Sequence, residues 1–232
     1  MKQQLLRRKI TKVRFRIPLS EERTERLLIA AYSAEVEYRQ EKFSPDEPTQ
    51  KNIKRVSMAL TESKPKFGLL LCGVPGNGKT TMVYALQNTI NYLSDNHVFD
   101  SMYQYEDERN AVGLPIIDAR EVVESSKNYQ GFVALKRKPF LAVEDIGREP
   151  TEVLEYGNVL NPVIDLLEYR YANQLFTVVT TNLTPKQIRE KYGNRIADRF
   201  NEMMSVVVFG QDSSYRGKKI PEQTFNPLAY GK

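Results

Sequence analysis

The sequence predicts an α/β fold: a five-stranded parallel sheet between helices, preceded by a small helical region. Two observations predict it. Five short apolar runs alternate with longer stretches of helical period, and strands separated by helices pair in parallel with the helices packed on both faces. A glycine-rich turn, Gly73 to Thr80, also stands directly between the first of these runs and the amphipathic stretch that follows it.

The elements follow in order. Residues 1–16 form a basic arm carrying Lys2, Arg7, Arg8, Lys9, Lys12, Arg14 and Arg16 and no acidic residue. Ser20-Glu21-Glu22 reads as a helix start, an N-cap followed by carboxylates near the positive end of the helix dipole. Leu27, Ala31, Ala34 and Tyr38 follow at helical spacing. Phe43 to Pro48 ends that helix, because two prolines and a turn-forming Asp46 cannot continue it. Gln50 to Leu60 reads as a second helix with Ile53, Val56 and Leu60 on one face. The polar stretch Thr61 to Pro65 is a linker. It divides the chain into residues 1–64, a basic arm and helical partner-binding region, and residues 65–232, the main domain. The first piece is too small to bury a core alone, so it is expected to lean on the main domain or on a partner.

In the main domain the predicted strands are Phe67 to Cys72, Pro115 to Asp118, Phe140 to Val143, Leu175 to Val179 and Ser205 to Phe209. A helix starts near Lys79 with Val83, Leu86, Ile90 and Leu93 on its inner stripe, and a second covers Arg120 to Lys127. Asn161-Pro162 fits an N-cap with Pro at the first helical position, leading into Val163, Ile164, Leu167 and Tyr171. Thr184-Pro185-Lys186-Gln187 starts another helix as a capping box. Ser94 to Gly113 is polar and aperiodic, and is expected to be a long surface loop.

Composition narrows the function. Hydrophobic residues at 41 % and charged residues at 27 % fit a soluble globular protein. No apolar run reaches the ~18 residues of a membrane span, and the basic start is expected not to be a secretory signal. With one cysteine, Cys72, and one histidine, His97, an internal disulfide and a structural zinc site are both excluded, which suits a reducing cytoplasm. The net charge of +5 belongs to the arm: its seven basic residues removed, 27 remain against 29 acidic ones. Such an arm can neutralise phosphates of a nucleic acid, bind protein, or stay solvated.

Gly73-Val74-Pro75-Gly76-Asn77-Gly78-Lys79-Thr80 matches the phosphate-binding pattern G-x-x-x-x-G-K-[ST], with Thr81 beside it. A triphosphate needs dense positive potential without bulk, and backbone N–H groups in a glycine-rich turn supply it. Lys79 would reach the β- and γ-phosphates, Thr80 would ligate Mg²⁺, and the following helix aims its positive end at the same place. ATP with Mg²⁺ is the expected ligand. Glu144 and Asp145 end a buried strand, as a Walker B pair does: one acid holds Mg²⁺ and the other orients the attacking water. A solvated strand end is the plainer alternative. Thr180-Thr181-Asn182 ends the next predicted strand, where Asn182 would face the γ-phosphate or serve merely as a turn. Arg195 and Arg199 share one helix face. Each could pair with Asp198, Glu202 or another acid, or reach a neighbouring subunit's γ-phosphate.

This series, closed by Ser214-Tyr215-Arg216, resembles the DnaC-type helicase loaders and their IstB-like transposition relatives among the AAA+ ATPases. The resemblance covers residues 66 to 218 and is most specific in FLAVEDIG, TTNL, YGNRIADRF and DSSYR. It implies an ATPase with Asn182 as the sensor-one residue, Arg199 as the arginine finger with Arg195 close by, and Arg216 as the sensor-two arginine. It also implies a homo-oligomer joined through that finger, single-stranded DNA as a ligand, and a replicative helicase or a transposase as the partner. The family would place a DNA contact at Arg120, Lys127 and Tyr129. One departure stands out: the family shows Asp first in its Walker B pair, whereas here Glu144 precedes Asp145, which bears on hydrolysis rather than on binding.

The leading expectation is an ATP-dependent loader that binds single-stranded DNA and a ring helicase, with ATP as the assembly switch. A transposition regulator on the same fold is the close alternative. A P-loop metabolic kinase would instead show a lid and monomeric turnover, and a nucleotide-bound interaction module would hydrolyse negligibly.

Overall fold

The computed structural model describes residues 14–100, 112–150, 153–155 and 158–210. Two helices come first, α1 (Glu21–Tyr38) and α2 (Glu47–Thr61). Then follow β1 (Gly68–Gly73), α3 (Lys79–Asp95), β2 (Ile116–Asp118), α4 (Ala119–Ser126), α5 (Tyr129–Arg137) and β3 (Phe140–Ile146). The chain continues through β4 (Val153–Glu155), β5 (Asn158–Leu160), α6 (Pro162–Ala172), β6 (Phe176–Thr181), α7 (Pro185–Met203) and β7 (Ser205–Phe209). The expected five strands form one sheet in the order β2-β3-β6-β1-β7, all parallel. β1 thus lies between β6 and β7, and β3 lies on the far side of β6. The carboxyl ends of β1, β6 and β3 therefore sit side by side, which brings the glycine turn, Asn182 and the paired acids to one edge of the sheet.

The central strands β1, β3 and β6 are buried on both faces along their apolar runs, whereas the edge strand β7 exposes Val206 and Val208. On one face Leu69 and Leu71 pack with Met82, Leu86 and Ile90 of α3, and with Phe15, Ile17, Leu28, Ile53, Val56 and Leu60 from before the sheet. On the other, Leu70, Leu141, Val143 and Val179 pack with Val122, Phe132, Leu166, Leu167, Ile188 and Ile196. Each such side chain is worth about 2 kcal/mol of burial. The helical region before residue 64 leans on the main domain, as α1 packs on α3 as well as on α2, and within that region the Ile17 N–H donates to the Leu60 carbonyl at 2.8 Å.

Caps follow the expected chemistry with one exception. Ser20 accepts from Arg23 N at 3.3 Å, and Thr184 and Gln187 close the capping box. Asn161 makes no capping hydrogen bond, although Pro162 does occupy the first turn. Helix α2 begins earlier than expected because Asp46 caps it at 2.9 Å and Pro48 sits in its first turn, where a missing N–H costs nothing. On α1 the inward stripe is Thr24, Leu28 and Tyr32, and Tyr38 is exposed.

Three further features differ from expectation. Of Ser94 to Gly113, α3 takes in Ser94 and Asp95, and residues 96–100 are turn with Asn96, His97 and Asp100 exposed. Phe99 and Val112 are buried, the Phe99 ring tilted with its centroid 5.6 Å from that of Phe15; residues 101–111 lie outside the described residues. Two aromatic and aliphatic anchors in an aperiodic stretch leave no pattern to read. Helix α5 was not expected; Asn128 caps it by accepting from Gly131 N at 3.0 Å. The antiparallel pair β4–β5 was not expected either. No helix among the described residues is long and apolar enough to cross a membrane.

Candidate functional site

The phosphate loop is shaped by two glycines that cannot be replaced without strain. Gly78, the residue before α3, has φ +83°, and a Cβ there would collide with the hydroxyl of Tyr32 on α1. Gly73 has φ +145°, and a Cβ there would strike the Phe209 carbonyl of β7. Because Gly78 has no side chain to cap with, the first-turn N–H groups of α3 face the loop, as an anion site requires. Lys79 is only 6 % exposed, and its Nζ donates to the carbonyls of Gly73 and Val74, each at 2.8 Å. The Asn77 amide donates to the Gly210 carbonyl, while its Oδ1 is buried without a hydrogen-bond partner.

The paired acids diverge at an irregularity in β3. Register with β6 shifts between Val143 and Ile146, and Asp145 adopts φ +55°. Such a bulge re-aims side chains that would otherwise alternate across the sheet. Here the Glu144 carboxylate stands close to the Thr80 hydroxyl, while Asp145 lines the cavity beside the phosphate loop. The two threonines of Thr180-Thr181-Asn182 hold this geometry. Thr180 Oγ1 accepts from Asp145 N at 2.8 Å, and Thr181 Oγ1 donates to the Ile146 carbonyl at 2.8 Å. Glu144 titrates above the ordinary carboxylate range, chiefly because it is buried. The Thr80 hydroxyl opposes that rise, the charges of Asp145 and Asp118 add to it, and Arg39 opposes it.

A cavity of about 690 Å³ opens over these groups. Lys79, Thr80, Thr81, Asp145 and Asn182 line it, and Asn182 Oδ1 is buried there without a partner. Its opposite wall was not foreseen. Tyr32, Val36, Arg39, Lys42 and Phe43 come from α1 and the segment after it, and Arg39 Nη1 donates to Thr81 Oγ1 at 3.1 Å. Arg148, also unforeseen, lines the cavity and pairs with Asp145 at 2.6 Å.

The segment after β3 is anchored to α7. Glu149 is buried and accepts from Gly147 N at 2.8 Å and from the Tyr192 hydroxyl. Lys191 Nζ donates to the carbonyls of Gly147 and Glu149 at 3.0 and 2.6 Å. Burial and the Glu149 carboxylate push the Tyr192 phenol far above its ordinary range. One residue on, Gly193 kinks α7 at φ +82°.

Arg195 and Arg199 follow that kink and do not line the cavity. Both meet Glu168 of α6, at 3.2 and 2.6 Å, and Arg199 also stacks 4.9 Å over the Tyr171 ring. Arg120 pairs with Asp118 at 3.1 Å and Lys127 with Glu124 at 2.6 Å, while Tyr129 is exposed. Arg216 lies outside the described residues.

The residues present fit a magnesium nucleotide. Glu144 Oε1 is buried and unpartnered beside the Thr80 hydroxyl. No group of three or more His, Cys, Asp or Glu among the described residues could hold a metal ion by itself. Magnesium suits such a site, since it takes one or two protein ligands and completes its shell with phosphates and water.

No protein-family model and no curated protein matches the sequence. Solved structures do. DnaI superposes with a TM-score of 0.53 at 20 % identity, over 85 % of this chain and 95 % of that one. The DnaC helicase loader superposes with a TM-score of 0.50 at 16 % identity, over 72 % of this chain and 93 % of that one. At such identities the likeness is one of architecture alone: this chain shares the α/β fold of DnaI and of the DnaC helicase loader.

Proposed function

We propose that the chain is an ATP-dependent DNA replication protein of helicase-loader type. In this reading it binds Mg–ATP, assembles with copies of itself, binds single-stranded DNA and engages a ring helicase, with ATP as the switch. One observation carries the nucleotide part: Lys79 and Thr80 of the phosphate loop, Asp145 after the bulge and Asn182 after β6 converge on one cavity, with Glu144 close to Thr80. The replication part is supported by FLAVEDIG, TTNL, YGNRIADRF and DSSYR occurring in the loader order on the loader fold.

Backbone N–H groups of the loop and of the first turn of α3 hold the phosphates, and Lys79 exchanges its two carbonyl partners for phosphate oxygens. Thr80 and Glu144 would hold Mg²⁺, which would supply neutralisation of the charge developing on the phosphoryl oxygens. Asn182 and Asp145 orient the attacking water. Arg199 of a neighbouring copy supplies the remaining positive charge, which makes hydrolysis depend on assembly. For that, Arg199 must leave the Glu168 pair it makes within its own chain.

The test is ATP hydrolysis by the full chain over a range of protein concentration, with and without single-stranded DNA. Turnover that rises with both is expected. Turnover independent of both overturns the loader reading and points to a monomeric kinase-like enzyme. Retention of a transposase in place of a helicase by the immobilised chain would assign it to transposition.

A further inference from the structure

Arg148 is a cation in the nucleotide cavity that the phosphate-loop pattern does not ask for. Its Nη1 lies 2.6 Å from Asp145 Oδ2, and its charge also reaches Asp118 at the end of β2. The side chain is 54 % exposed, so it is free to turn and plugs no core. The backbone beneath it is not free. Asp145 N is held by Thr180, Arg148 N donates to the Asp145 carbonyl at 3.2 Å, and the neighbouring Gly147 and Glu149 are tied to Lys191 and Tyr192. The motion available at this point is therefore a rotation of the Arg148 side chain between acceptors inside one cavity.

We propose that Arg148 is a γ-phosphate contact supplied by the subunit's own chain, and that its pair with Asp145 is the alternative state of that contact. The proposal rests on the nucleotide reading above. A terminal phosphate carries more charge and more acceptor oxygens than one carboxylate, and the planar guanidinium fork binds it in two-point fashion. A triphosphate draws Arg148 off Asp145 and leaves that carboxylate to orient water. A diphosphate offers no terminal group at that position, so the Asp145–Arg148 pair persists. Asp145 and Asp118 return the guanidinium once the phosphate has gone. The site thus distinguishes ATP from ADP before any second subunit takes part.

The test is calorimetric titration of the full chain, with Mg²⁺, using ADP and an ATP analogue whose β,γ-bridge is methylene. Arg148→Ala should bind the analogue about tenfold more weakly, the loss of one charge-assisted contact, and bind ADP as the wild type does. Asp145→Asn should tighten analogue binding, and only while Arg148 is present. Equal analogue affinity in Arg148→Ala and wild type overturns the proposal, as does an Asp145→Asn effect of the same size in both backgrounds. A wild type that binds neither nucleotide refutes the parent reading as well. A wild type that binds both, set beside an Arg148→Ala that loses nothing, refutes this proposal alone. Melting curves with both variants check that the fold is unchanged.

Discussion

Glu168 Oε1 stands 2.6 Å from Arg199 Nη1 and 3.2 Å from Arg195 Nε, so a single carboxylate on α6 holds both arginines of α7. The Arg199 pair is ionic in character, since its Nη1 meets no acceptor at hydrogen-bond angle. Arg195 is 73 % exposed and Arg199 only 17 %. Both charges are thus held within the chain, Arg195 at the surface and Arg199 beneath it.

If Arg199 acts across a subunit boundary, Arg199→Ala keeps ATP affinity and loses DNA- or assembly-stimulated hydrolysis by about 10³-fold. Glu168→Gln, which loosens the hold, should leave that stimulation in place. Steady-state turnover beside nucleotide titration separates the two effects. Normal stimulated turnover by Arg199→Ala would sink the finger assignment.

Lys79→Ala should weaken ATP binding by about 100-fold, since it removes a buried ammonium with two charge-assisted contacts to offer. The fold should persist, because its present acceptors are loop carbonyls at the cavity edge. Circular dichroism with nucleotide titration checks both halves.

Glu144 carries a pH prediction. Its folded-state pKa lies above the unfolded value because burial disfavours the charge. The fold therefore holds that proton more tightly than the unfolded chain does. The corresponding stability is fully present below the unfolded carboxylate range and is lost as pH rises through the raised value. Glu144→Gln, which is neutral at every pH, should melt higher than wild type at neutral pH in the absence of nucleotide. It should also lose the effect of Mg²⁺ on ATP affinity. A variant that melts lower, or keeps that effect, contradicts the assignment.

Arg170 is the largest fully buried side chain, and its guanidinium donates to Thr177 Oγ1 at 2.8 Å and to the carbonyls of Lys138 and Phe176 at 2.7 and 2.6 Å. Burial brings its pKa down to about 9, so it stays charged at neutral pH. Arg170→Ala strands those carbonyls where α5 ends and β6 begins, and should cost about 3 kcal/mol. A fall in the urea midpoint with an unchanged slope is the expected signature.

The sheet, the phosphate loop and the acids were legible because each rests on local pattern. Apolar runs such as Leu69 to Cys72 are strands by period and length, and Gly73 to Thr80 is a turn by composition. What was not legible depends on contacts distant in the chain. Arg39 reaches Thr81 across 42 positions, and Tyr192 meets Glu149 across 43. Arg148 looks like any solvated residue until β3 bulges and turns Asp145 toward the cavity. The Glu144-Asp145 order departs from the family pattern; the bulge puts Glu144 beside Thr80 and Asp145 at the cavity. The partner of Arg199 proved to be Glu168, on another helix, the further acid that the sequence left unnamed.

The contact between Tyr32 and Gly78 makes α1 a lever on the phosphate loop. If the loop wraps a triphosphate, a ligand bound to the outer side of that helix, where Tyr38 is exposed, would act on the same backbone. Thermodynamic linkage then runs both ways: a partner that raises nucleotide affinity by some factor is itself held tighter by that factor once nucleotide is bound.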